Sequence, residues 1–278
     1  LLDHTVLTVA AGAVLLGVTS GALGTFAVLR RQSLVGDVMA HAALPGVVGG
    51  YLLAGERSLP AMLAGALVTG LVAAGLAWVL THRLKVKSEA ALGTGLGLGF
   101  ALGVVLLSYV QRQPGAGSAG LESFLYGQAA ATLRADVLVL AGVAVVGLGV
   151  ATLLFGELKV ATFDPVWARA RGHRVALLDA GLTGLLAVAV VIGLQAVGVV
   201  LMSALVVAPA VAARQLTRSL GAMFWTAGAL GGASALAGAL LSAATPGLAT
   251  GPIVVLVASA VAGLALLLGP ERGRAAEA

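Results

Sequence analysis

Cysteine is absent from the 278 residues of this chain, and charge is scarce, with Asp, Glu, Lys and Arg together making up 10%. The first absence removes disulfides and thiolate ligands together, so a bound metal would rest on carboxylate, imidazole, amide or backbone oxygen. A soft Cu(I) site is disfavoured, with methionine the one side chain left to serve it. The second absence excludes a water-soluble domain, in which about a quarter of the residues are charged. Lysine is rarer still. Only three occur and none follows a glycine, so the Gly-Lys pair of a phosphate-binding loop is missing, and any ATP that drives this protein binds another chain. Segments that alternate polar and apolar residues are also lacking, which excludes a membrane β-barrel.

What is present is apolar sequence, 60% of the chain. Runs such as Thr5 to Leu29 and Ile253 to Leu268 recur throughout. About 20 such residues cross a hydrocarbon layer of about 30 Å, and a chain in lipid must satisfy its backbone internally, so the runs are helices. The fold expected is an all-α polytopic transmembrane bundle, a single membrane domain over 1–278 with no soluble domain and no internal repeat. The first run is not expected to be a cleaved signal peptide, since it is too long and no basic residue precedes it.

Nine spans are expected, at roughly 5–29, 38–54, 59–81, 89–110, 133–156, 175–194, 197–213, 220–243 and 250–269. The division at Gln195 to Gly198 follows from length. The apolar stretch Ala180 to Ala213 has 34 residues and would reach about 51 Å as one helix. Without that division the count is eight. Nine spans place 13 of the 16 basic residues on one side and Arg57, Arg112 and Arg134 on the other. The richer side is cytoplasmic, which puts the N-terminus outside and the C-terminus inside a bacterial-type cytoplasmic membrane. The net charge of +5 therefore reports topology, and nucleic acid is not an expected partner.

Ionisable groups inside lipid are costly and mark functional candidates. Asp37 and His41 open the second span four residues apart, so they share a helix face, and a carboxylate with an imidazole suits Mn(II), Fe(II) or Zn(II). The plainer alternative makes Asp37 a helix cap and His41 a packed bundle residue. Pro45 frees the carbonyl of His41 and favours polar irregularity there. Asp179 is expected to pair with Arg171 or Arg174. Gln195 marks the helix break, as an interhelical hydrogen bond or a gate. Glu122, with Tyr126, lies in the long outer loop 111–134, facing a vestibule or packing on the membrane surface. Gly93, Gly95, Gly97, Gly99 and Gly103 follow no strand and serve close helix packing. The inside loop Glu157 to Arg174 holds an Asp164 cap, Pro165 at the first helical position and Gly172 as terminator. A helix that short needs a docking surface, and Trp167 offers lipid headgroups as the competing anchor.

Leu29 to Asp37 running into His41-Ala42-Ala43-Leu44-Pro45-Gly46, Phe163-Asp164-Pro165 with Ala168 and Gly172, and Leu194 to Gly198 running into Leu205 and Pro209 resemble, in that order, the signature of the manganese, zinc and iron permeases of the ABC-3 family. The resemblance implies a transport subunit rather than an enzyme. It implies a homo- or heterodimer with a second permease, two cytoplasmic ATPase subunits and an extracytoplasmic metal-binding protein that delivers the ion. Asp37 and His41 fall on the family's metal-contacting positions. Phe163, Asp164, Pro165, Trp167, Ala168, Arg169 and Gly172 fall on its coupling helix. The metal is transported substrate and no cofactor is expected on this chain. Pro45 places the pattern nearer the manganese members. The rival readings are a proton-coupled secondary metal transporter, a permease for an iron chelate or vitamin cofactor, and a membrane scaffold.

Overall fold

A chain in lipid has few ways to satisfy its backbone, and this one takes the helical way. The computed structural model describes residues 4–55, 58–112, 134–245 and 249–269. Among the described residues the elements are all helices: α1 (His4–Leu29), α2 (Val35–Ala54), α3 (Leu59–His82), α4 (Ser88–Gln111), α5 (Arg134–Leu153), α6 (Phe155–Phe163), α7 (Pro165–Ala170), α8 (Val175–Val197), α9 (Val199–Leu216), α10 (Leu220–Ala244) and α11 (Thr250–Leu268).

Eight of these are long and apolar enough to span a membrane, and Met202–Leu216 within α9 is a shorter apolar helix. The expected break falls at Gly198, between α8 and α9. Its φ of 89° is a left-handed backbone that glycine adopts without strain, and its N–H closes α8 on the carbonyl of Leu194 at 2.9 Å. Val72, Val105, Leu138, Val145 and Leu267 are exposed. Apolar surface on that scale is untenable in water and ordinary against lipid.

The chain forms two compact units, one of 1–31, 129–182 and 204–278, the other of 32–128 and 183–203. In the first, α1 packs against α10 and α5, and α10 packs against α11. Gly17 and Gly231 meet backbone to backbone, so that a Cβ on either would collide with the other's carbonyl. Phe26, Phe155 and Phe224 meet edge to face, with ring centroids 5.9–6.1 Å apart. In the second unit, α2, α3 and α4 pack on one another. Gly95, Gly99 and Gly103 turn one face of α4 onto α2, against Val38, Ala42 and Leu44, while Gly93 and Gly97 face open space. The glycine series is thus a packing seam with period four rather than a uniform stripe.

One boundary differs from expectation. The fifth span stops at Leu153 and the chain becomes helical again at Phe155, where a loop is expected from Glu157. Leu158 and Ala161, three apart, bury one stripe of α6 and give it a packing face.

Candidate functional site

Helix α2 starts at Val35 after a tight turn in which Arg31 takes a φ of 56°. Asp37 is therefore the third helical residue. Its carboxylate does not cap the helix, whose N-cap, Leu34, makes no side-chain cap bond. It contributes instead as a negative charge in the first turn, where the helix dipole favours it. His41 follows one turn later on the same face. Both are half-buried, between Val38, Met39, Ala40 and Ala42, which are buried.

The imidazole has unequal surroundings. The ring packs edge to face with Phe100 on α4, with 5.2 Å between centroids and 87° between planes. The Nδ1 atom is buried without a hydrogen-bond partner. Leaving a buried polar atom unpaired costs about 1–3 kcal/mol. Pro45 lies inside α2, half-buried, and has no N–H to give the His41 carbonyl. Among the described residues no cluster of three or more His, Asp or Glu forms a metal site. Among the described residues Asp37 and His41 bring one carboxylate and one imidazole to the same helix face, with no third such group beside them. Glu122 and Tyr126 lie outside the described residues, as does the side chain of Gln195.

The second candidate surface forms as the sequence leads one to expect. Asp164 caps α7 by accepting the N–H of Trp167 at 2.9 Å, and Pro165 is the first helical residue. Gly172 ends it with a φ of 86°, and the N–H groups of Gly172 and His173 bond back to Arg169 and Ala168. Ala168 is buried and seats the helix. Phe163 at the end of α6 and Val166 and Trp167 on α7 are 62%, 72% and 43% exposed, an apolar patch that water does not favour. The guanidinium of Arg171 stacks over the Trp167 ring at 4.3 Å, so both residues belong to one polar-rimmed patch. Phe163 also borders a cavity of about 630 Å³ whose rim carries Arg214 and Arg218.

Asp179 does not pair with Arg171 or Arg174. It forms an ion pair with Arg30, at the end of α1, and Arg30 Nε also donates to Thr162 Oγ1 on α6 at 3.1 Å. Arg174 is turned outward and exposed, and Arg171 is engaged by the indole. Arg30 and Thr162 are absent from the expected site residues. The signal that could have found Arg30 is topological: it and Asp179 have opposite charges at span ends assigned to the same side.

Residues 3–269 match the ABC 3 transport family. The chain belongs to the ABC-3 family. This ABC-3 chain is 46% identical over 272 residues to the zinc transport system membrane protein TroC of Treponema pallidum, covering 98% of itself and 91% of that relative. It is 43% identical over 270 residues to the manganese transport system membrane protein MntC of Bacillus subtilis, covering 97% of itself and 62% of that relative. Among solved structures, PsaBC from Streptococcus pneumoniae in complex with Fab superposes with a TM-score of 0.83 at 29% identity, over 96% of this chain and 92% of that one. The ABC-3 chain is thus a multi-pass membrane protein with a permease fold.

Proposed function

We propose that this chain is the permease subunit of an ATP-driven importer that passes a divalent transition metal ion into the cytoplasm, with Asp37 and His41 as transient ligands. The observation that carries the ligand assignment is the buried, partnerless Nδ1 of His41, one turn from a carboxylate inside a membrane helix. A divalent ion takes about four to six ligands. Asp37 and His41 alone leave the coordination incomplete, so the remainder comes from elsewhere in the permease or its partner subunit, from water, or from both. The relatives named for zinc and for manganese agree with an oxygen and nitrogen pair that accepts either ion. Affinity alone favours zinc on such ligands, and selection falls to geometry and to the protein that delivers the ion.

The exposed patch of Phe163, at the end of α6, with Val166 and Trp167 on the capped helix α7 is the surface for a cytoplasmic ATPase subunit, two of which would serve a permease dimer. The basic side is then the inside, and the N-terminus lies outside. Reconstitution with the ATPase and the metal-binding protein is expected to give ATP hydrolysis that rises with Mn(II) or Zn(II). Metal accumulation driven by a proton gradient without ATP rejects the proposal, and labelling of residues 157–174 from the external face rejects the orientation.

Removal of the cap gives a local test. Asp164→Ala is expected to cost α7 about 1 kcal/mol of helix stability. Amide hydrogen exchange over 165–170 in the purified chain reads the loss directly, and binding of the ATPase subunit should weaken in step.

A further inference from the structure

Arg30 opens the turn that follows α1, and its side chain is 10% exposed. It does not use that burial to pack quietly. One guanidinium nitrogen pairs with Asp179 in the first turns of α8, and Nε donates to Thr162, two residues before the Asp164 cap. The Thr162 hydroxyl in turn donates to the Leu158 carbonyl at 2.6 Å, so its lone pairs are turned toward the arginine. The other end of α6 is held as well. Phe155, its first residue, is wedged edge to face between Phe26 of α1 and Phe224 of α10, both fully buried. Beyond α7, His173 lies 4.0 Å from Glu157 on α6.

The short docking helix therefore hangs from a helix fastened at both ends to α1. A loop tethered only by its chain would absorb a push from a partner. A helix gripped at Phe155 and Thr162 passes it on, because packed cores and ion-pair networks shift between discrete arrangements and do not yield continuously.

We infer that Arg30 is a positioning residue for energy coupling: it carries displacement of the docking helix α7, through Thr162, into the cytoplasmic ends of α1 and α8. The inference rests on the ATP-driven reading given above. It specifies which residue transmits the stroke, which neither the sequence pattern nor the exposed patch provides. From Arg30 the chain continues through Arg31 and a three-residue turn into α2, the helix of Asp37 and His41.

The chemistry of the group suits the role. A guanidinium holds two acceptors in fixed relative directions, which an ammonium does not. Its Nη2 is buried without an acceptor. An unpaired buried donor is costly, so an arrangement that satisfied it would compete closely with the present one. That is the bistability a transmitting element requires.

The test uses the reconstituted complex and the purified chain side by side. In proteoliposomes, Arg30→Gln is expected to lower the metal ions moved per ATP hydrolysed by about tenfold, the scale of coupling within one ion-pair network, with ATP hydrolysis and subunit assembly retained. Arg30→Lys, which keeps the Asp179 pair and loses the fork to Thr162, should fall between. The exchanged pair Arg30→Asp with Asp179→Arg should regain part of the ratio. In the chain alone, Arg30→Gln and Thr162→Val should speed hydrogen exchange across 155–170 and leave α11 unaffected. An unchanged ion-to-ATP ratio in Arg30→Gln overturns the inference, as does a loss of transport that simply follows loss of folded protein. A wild-type complex that moves metal without consuming ATP sinks the coupled reading itself, and the exchange data then report a structural clamp and nothing more.

Discussion

His41→Leu is expected to abolish metal uptake while leaving the isolated chain as stable as before, or slightly more so. The two halves of that expectation have different causes. Removing a group that merely supports a metal ligand already costs about 10–100-fold in affinity or activity, so removing one of two ligands should take uptake beyond that range. Stability runs the other way. The imidazole Nδ1 is buried and unsatisfied in the fold, and replacing an unsatisfied polar group by an apolar one of similar size is neutral or stabilising. Against this stands the edge-to-face packing of the ring on Phe100, worth about 0.5–1.5 kcal/mol, part of which leucine recovers by burial. Asp37→Ala should match it in transport, since the carboxylate is no cap here. Uptake assays in cells, paired with thermal unfolding in detergent, separate the two effects. A His41→Leu chain that unfolds several degrees earlier would make the histidine a structural residue and remove the case for ligation.

The second large effect concerns the helix that carries this pair. Gly46→Ala is expected to break the packing of α2 on α3 and to lower the yield of folded protein severely. A Cβ at Gly46 would collide with the carbonyl of Gly65 and with the Thr69 hydroxyl, and a Cβ at Gly65 would collide with the carbonyl of Gly46. The obstacle is backbone on both sides, so no rotamer change relieves it, and the helices must part. Overpacking in a soluble core costs about 1–3 kcal/mol. Here the penalty should reach or pass the upper end, because helices in lipid have little besides close packing to hold them together. Gly97→Ala provides the control. Nothing lies within contact distance of that position, and alanine is the better helix former by about 1 kcal/mol, so the variant should fold at least as well as the parent. Size-exclusion profiles and unfolding temperatures of the two purified variants decide the matter, and equal behaviour would refute the seam.

Much of this architecture is legible in the sequence because lipid leaves the chain so little choice. Run length alone locates the spans, and the excess length of Ala180 to Ala213 forces a division that the structure places at Gly198. Helix α7 is equally readable, since Asp164, Pro165 and Gly172 are local signals that act within a turn of where they stand. Side-chain pairing is not readable in the same way. Asp179 has two arginines within eight residues, and it bonds instead to one 149 residues away, a choice made by how α1, α6 and α8 meet. The glycines show the same limit. Composition says that small residues pack, but only the helix phase reveals that Gly99 touches Ala42 while Gly97 touches nothing. For the candidate site, spacing places Asp37 and His41 on one face, whereas the orphaned nitrogen on which the proposed ligation rests is a property of the folded surroundings.

The break at Gly198 leaves α9 with 18 residues, which as a helix extend about 27 Å. Typical hydrocarbon is about 30 Å thick, so this segment has no length to spare for tilting. Thinner bilayers suit it, and acyl chains a few carbons longer would draw its ends out of the headgroup layer or force the surrounding lipid to compress, at a fraction of a kcal/mol per ångström. Membrane thickness is thereby expected to bear first on this segment, whose length a single glycine sets.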